Sequence, residues 1–499
     1  MTVMTYWQAA RFLDCSTFGA IQPEIEELQQ GGSNNWIEHQ LSLAPSYHVP
    51  QFLQKTTNTS YWSEYRQGAW IDQALGAEDQ LRQRVAFALS QLLVVSSKDT
   101  GLSDEHLALT AYYDILVKHA LGSYRELLYE VSRSPVMGIF LTSVDNLSYT
   151  ASGSSPDENY ARELMQLFTI GLIETDLDGA PILDAEGREV ETYSDDDVTA
   201  MARVFTGWTK DGGSLLDPMV ANESWHDTDE KTLLGETLPA GQDTETDLNQ
   251  ALDILVAHPC TAPFVSKFLI TKLVTSNPTP AYIRRVAEVF QNTRGDLAAV
   301  IRTIISDQEI WRDNGFPPVS RPKDPITHIV SFLRAMKAFS GDPQHGFYPQ
   351  SVFRDGHGQD ILSAPSVFNY FAPDYSPVGP LAEAGLVAPE LDGMTWLQLI
   401  SAGNLVHDYL WEWNDYASNP TDKTKLYIHL SELVNLADNE GVNALITAIS
   451  LRFFKNRLST PMETALNHIY TQQTGGNLKD TVRQMLYLAA TSPEFRVQE

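Results

Sequence analysis

Within about two helical turns the chain sets Glu158, Asn159, Arg162 and Glu163, which are two carboxylates, an amide and a guanidinium. Glu158 precedes Arg162 by four residues and Asn159 precedes Glu163 by four, so each pair shares a helix face. A carboxyl group that keeps its proton can protonate a leaving group, and an ionised one can accept a proton. Glu163 is the first candidate for this acid–base work and Glu158 the second, with Arg162 and Asn159 positioning a substrate. Glutamates five residues apart do not face one another on a helix, so the pair needs a partner from another segment. The competing reading is an ordinary surface ion pair, worth about 0.2–0.5 kcal/mol, with Asp157 and Glu158 suiting the positive end of the helix dipole.

The candidate partners follow in sequence. His226-Asp227 and Lys231 come after Trp208. A histidine beside an aspartate can be a general base, a metal ligand or a surface pair. His226 and Asp227 therefore join the catalytic candidates, and Trp208 and Lys231 join the substrate-binding ones. His357, flanked by Gly356 and Gly358, can reach a ligand past a bare backbone. Tyr370 and the other loop aromatics, Trp62, Trp225, Tyr348 and Tyr375, can stack on sugar rings. Asp176 and Asp178, with Asp184 and Glu186 beyond them, offer hard oxygen ligands that suit calcium. The spacing lacks the EF-hand pattern, so a solvated hairpin is favoured there. No resident cofactor is expected, and calcium is the one candidate ion. Nucleophile-elbow, P-loop, HExxH and dinucleotide motifs are absent.

These residues need a scaffold, and its periodicity is helical. Ser155 as N-cap, Pro156 at the first position and Gly171 at the end predict one helix around the acid-rich stretch. Tyr160, Leu164, Leu167 and Phe168 recur on its apolar face. Similar spacing predicts a long helix over 78–96 and further helices over 107–120, 195–206, 247–257, 262–273, 280–290, 297–305, 325–338, 396–404 and 478–490. The expected fold is mainly α, a multi-helix bundle-like assembly with long irregular loops and at most a small β-hairpin. Three stretches interrupt it, 146–155, 175–193 and 340–380. The last, rich in Gly, Pro and aromatics, suggests a lid or one wall of a cleft. It divides the chain into an N-terminal helical domain (1–340), a loop or lid (341–380) and a C-terminal helical part (381–499), unless the whole is one continuous domain. The acidic helix, the segment carrying Trp208, His226 and Lys231, and the stretch 345–375 are expected to converge on one concave surface.

Composition narrows the partners. The 499 residues carry 64 acids against 34 bases, a formal charge of −30, with 43% hydrophobic residues. Such a chain repels phosphate backbones and anionic lipid, so no nucleic-acid partner is expected. No apolar run reaches the ~18 residues of a membrane span. Cys15 and Cys260 fit no metal or haem motif; they either pair in an oxidising compartment or stay free and buried. Residues 1–7 lack the basic and apolar regions of a signal peptide.

Blocks along nearly the whole chain resemble one large bacterial family, domain of unknown function 1800. They are Asp79–Ser90, the acidic helix, Phe205-Thr206-Gly207-Trp208, His226-Asp227 with Lys231 and Leu234-Gly235, His258-Pro259, 273–278, Ser366-Val367-Phe368-Asn369-Tyr370-Phe371 and Ser492-Pro493-Glu494-Phe495. The resemblance implies an exported protein, extracellular or periplasmic, with a secreted sulfatase- or phosphatase-like partner protein. Joined to the paired carboxylates and loop aromatics, it gives the expectation of an exported or envelope-associated enzyme acting on a polymeric carbohydrate, as a hydrolase or lyase. The alternative is a non-catalytic envelope binding or assembly protein that works with a secreted partner enzyme.

Overall fold

The computed structural model describes residues 4–55, 63–312, 319–340, 358–411, 426–472 and 477–498. His357, Trp62 and Tyr348 lie outside them. Helices dominate, and their ends follow local chemistry. Ser194 and Asp197 form a reciprocal capping box at the start of Asp195–Val204. Asp243, Thr279 and Asp296 cap Thr244–Ala257, Pro280–Thr293 and Leu297–Ser306 with their side-chain oxygens. The strands among the described residues are short and pair only in twos. Lys231–Leu233 and Glu236–Leu238 make a local hairpin, and Trp208–Thr209 meets Val220–Ala221. Two more pairs join distant segments, Arg321–Pro322 with Val497–Gln498 and Phe339–Ser340 with Leu426–Tyr427. The fold is mainly α.

One continuous apolar cluster runs from Ala9 to Phe495. The helix expected over 78–96 is Gln80–Ser90. The chain leaves the helix after Ser90, and Ser96 then bonds to the carbonyl of Ala364. Leu92, Leu93, Val94 and Val95 are all buried, and an apolar run enclosed on every side shows no helical stripe to tell helix from turn. Cys15 and Cys260 are free and buried, with the Gln498 amide beside the Cys15 sulfur at 3.4 Å. Among the described residues no single helix is long and apolar enough to cross a membrane.

Candidate active site

The acidic helix starts later than its sequence suggests. Ser155 and Pro156 stay outside it, and the helix runs Asn159–Glu163. Asn146 decides the start from a distance: its side chain accepts from Asp157 N at 2.9 Å and donates to Asp157 O at 3.0 Å. The Asp157 carboxylate then accepts from Asn159 N at 2.8 Å. Beyond Glu163 the coil widens into a π-helical turn, Leu164–Thr169. Ile170 N reaches back five residues to Met165 O at 2.9 Å, and Thr169 Oγ1 donates to Leu164 O at 2.7 Å. Gly171 closes the segment at φ +73°, a left-handed conformation suited to glycine. Such turns re-aim side chains and recur at functional sites.

Glu163 sits just before this turn. It is 9% exposed, and its Oε2 is buried with no hydrogen-bond partner. Burial raises its pKa, and the charge of Arg162 opposes the rise. Tyr193, whose hydroxyl donates to Gln166 Oε1 at 3.3 Å, feels the charges of both Arg162 and Glu163. Glu158 occupies a different setting. It meets Arg162 at 3.4 Å with both side chains 40% exposed. Its Oε1 also accepts from Thr199 at 3.1 Å. Asn159 does not pair with Glu163; its amide turns to Thr142 at 3.5 Å. The helix thus holds two carboxyl groups in contrasting surroundings, one buried and inclined to keep its proton, one half-exposed and ion-paired. Acid–base chemistry uses pairs whose environments differ in this way.

The histidine segment builds a closed network. His226 Nδ1 lies 2.8 Å from Thr206 O, and Nε2 lies 3.1 Å from Asp247 Oδ2. The side chains of His226 and Asp247 are wholly buried. Lys231, at 1% exposure, reaches the same Asp247 oxygen at 2.7 Å and donates to the carbonyls of Asp227 and Asp229. Asp227 takes a two-pronged bond from Arg203, at 2.9 Å on each oxygen. The guanidinium and Lys231 hold its carboxyl below the usual range against the upward pull of burial. This arrangement pairs the buried charge of Asp247 through Oδ2, leaving its Oδ1 without a hydrogen-bond partner, and fixes the Lys231 hairpin to the helices Asp195–Val204 and Thr244–Ala257. A group that acts on a substrate must touch it, and both ring nitrogens of His226 are already engaged inside.

Trp208 is also enclosed, at 1% exposure, with Arg133 over its ring at 5.3 Å, so its face is not open for stacking. Tyr370 bonds back to Asp360, accepting from its N–H at 3.1 Å and donating to its carbonyl at 3.0 Å. With Gln91, Asp360 and Asn369 it lines a cavity of about 20 Å³. In the acidic hairpin both oxygens of Asp178 contact Arg284, one of them at 2.7 Å. Asp176 Oδ1 accepts from the backbone of Asp178 and Ala180 at 2.9 and 3.1 Å. Among the described residues no group of three or more His, Cys, Asp or Glu side chains is placed to hold a metal.

Of the three segments expected to converge on one concave surface, two share a neighbour: the acidic helix packs on Asp195–Val204, and that helix packs on the Lys231 strand, with Trp208, His226 and Lys231 buried. The described part of the third turns elsewhere. Its carbonyls at Ile361 and Leu362 bond to Arg66, Asp360 bonds to Gln67, and Asn369 bonds to Gln91. Gln166, Tyr193, Thr199, Arg203 and Asp247 belong to these two clusters and carry no local sequence signal, because each is brought in by tertiary packing. Neither a curated protein nor a solved structure matches this chain. The model of a family described as protein of unknown function, DUF1800, matches residues 11–497, and the chain belongs to that family.

Proposed function

We propose that the chain is an exported or envelope-associated enzyme that acts on a polymer, with polysaccharide the favoured substrate, by carboxyl acid–base chemistry of the hydrolase or lyase type. The observation that carries this reading is Glu163: a nearly enclosed carboxyl with one unpartnered oxygen, a raised pKa and a π-helical turn directly after it. A carboxyl whose burial favours the protonated form suits protonation of a glycosidic oxygen. Glu158 is the more exposed counterpart, in contact with Arg162, and Arg162 and Asn159 supply polar contacts to substrate at the exposed edge. His226, Asp227 and Lys231 serve this reading from beneath, by anchoring the helix Asp195–Val204 against which the acidic helix lies.

Glu163→Gln tests it. The amide keeps the shape and cannot donate the carboxyl proton. On a panel of polysaccharides, turnover should fall by about 10²–10⁴-fold, with the fold retained. A folded variant with unaltered product release removes Glu163 from the mechanism. A second reading, a non-catalytic envelope binding or assembly protein acting with a sulfatase- or phosphatase-like partner, draws on one observation. The cavity at Tyr370, about 20 Å³, has room for a water rather than a sugar. The absence of product release from every glycan by the wild-type protein favours it.

A further inference from the structure

A second cavity of about 20 Å³ lies far along the sequence from the acidic helix, where Asp14, Lys323, Ser331, Arg452, Lys455 and Phe495 meet. Its charge balance is unusual for a chain of net −30. Three cationic side chains line it against one carboxylate. Asp14 is committed, with Lys455 at 2.8 Å and the Ala20 N–H at 2.9 Å. Lys323 is 5% exposed and has no carboxylate within ion-pair distance among the described residues; its ammonium donates to Ser331 Oγ at 3.3 Å and sits 4.0 Å from the Phe495 ring centre. The Arg452 side chain is 8% exposed, and one arm of its guanidinium bonds to Glu432 at 2.7 Å. The other arm, Nη1, is buried with no partner.

We propose that this cavity binds a small inorganic anion of chloride size, held between Lys323 and the free arm of Arg452. Three facts converge on that ligand class. Lys323 is buried with no carboxylate in direct contact among the described residues, only the charge of Asp14 nearby, and buried cations are ordinarily paired. Arg452 lines the cavity and its buried Nη1 lacks an acceptor, which a halide would supply. The volume admits one water-sized particle, which selects a monatomic anion over phosphate or a carboxylate ligand. Burial draws the pKa of Lys323 down to about 8, and a neighbouring anion stabilises its charged form. The site joins the first helix, Tyr6–Ser16, to the helices Pro325–Ala335 and Val442–Phe453 and to Phe495 near the end of the chain, so the ion acts as a clasp between distant segments.

Crystals of the full chain soaked in sodium bromide test this directly through the anomalous signal of bromine. A bromide peak in the cavity within contact distance of Lys323 Nζ and Arg452 Nη1 is expected. A cavity that holds only water at saturating bromide overturns the proposal. In solution, replacing gluconate by chloride at fixed ionic strength should raise the melting temperature of the wild type relative to Lys323→Met, and the increment should saturate. An equal response of both proteins overturns it. Should Lys323→Met fail to fold, Arg452→Gln, which keeps an amide donor, takes its place in the same comparison, and the bromide map decides without either variant.

Discussion

Glu163 keeps one carboxyl oxygen away from water with nothing bonded to it, and that burial favours the neutral form. The consequence for stability has a definite sign. A folded-state pKa above the unfolded one means that the native chain binds this proton more tightly. The protonated group therefore contributes stability at pH below the ordinary carboxylate range, and the contribution is lost as pH rises through the raised value. Glu163→Gln stays neutral throughout and escapes that loss. Urea midpoints of the two proteins, compared from about pH 4 to about pH 7, should shift steadily in favour of the variant. A difference that does not move with pH would show that the carboxyl is solvated. The Asp247 carboxylate is fully enclosed, with Lys231 and His226 upon it. Lys231→Met leaves that charge buried with only the imidazole beside it, and should cost about 3–5 kcal/mol in a urea titration. Adding Asp247→Leu should restore much of the loss, since an apolar pair replaces an ionic one. A cost below about 1 kcal/mol for the single variant would assign the network to the solvent-screened class.

At the scale of elements, the π-helical turn after Glu163 is the feature on which the geometry of the acidic helix depends. Thr169 Oγ1 bonds to Leu164 O at 2.7 Å inside it. Thr169→Val keeps the branched shape, removes that bond and should cost about 1 kcal/mol, with the loss read by urea unfolding; no loss would mean that the wide turn needs no side-chain support. The apolar face of this segment was legible in the sequence, since Tyr160, Leu164 and Phe168 are all buried as their spacing requires. The widening was not, because over two turns a coil of slightly longer period presents the same side chains inward. The start of the helix was misread for a different reason: Ser155 and Pro156 form a sound local signal, and Asn146 overrides it through bonds made across a loop. The sequence leaves His226 open as a general base, a metal ligand or a surface pair, and its partner Asp247 lies 21 residues on, a contact that no local pattern announces. The acidic hairpin lies at the surface as favoured, but the Asp178 partner, Arg284, comes from 106 residues away. That guanidinium engages both oxygens of Asp178, so a calcium ion would have to compete with it. Calcium titration should therefore leave the melting temperature unchanged, and a saturable rise would reveal a cage that displaces Arg284.

The whole molecule distributes its charge unevenly, and this governs how it responds to salt. Among the described residues ten lysines and arginines are buried against seven acids, so the surface is more acidic than the net charge of −30 alone implies. Several of the buried cations bind backbone carbonyls of remote segments, and Arg334 adds a two-pronged bond to Glu24. Arg11 reaches Ile310 and Val319, Arg66 reaches Ile361 and Leu362, Arg84 reaches Lys272, and Arg334 reaches Gly19. These bonds draw the chain together from inside and lie beyond the reach of mobile ions. The excess acids outside repel one another, and only the solvent moderates them. Raising ionic strength from about 0.01 M to about 0.15 M shortens the screening length from about 30 Å to about 8 Å. That change weakens the outer repulsion and leaves the interior bonds intact. The melting temperature should therefore rise over this range, even with sodium gluconate, whose anion is too large for the cavity at Lys323. The rise should be steepest at the lowest salt and level off as the screening length falls below the spacing of surface charges. A melting temperature that stays flat or falls on adding gluconate would mean that exposed ion pairs such as Arg302–Glu38 and Arg284–Asp178 outweigh the repulsion, because screening would then remove attraction faster than it removes strain.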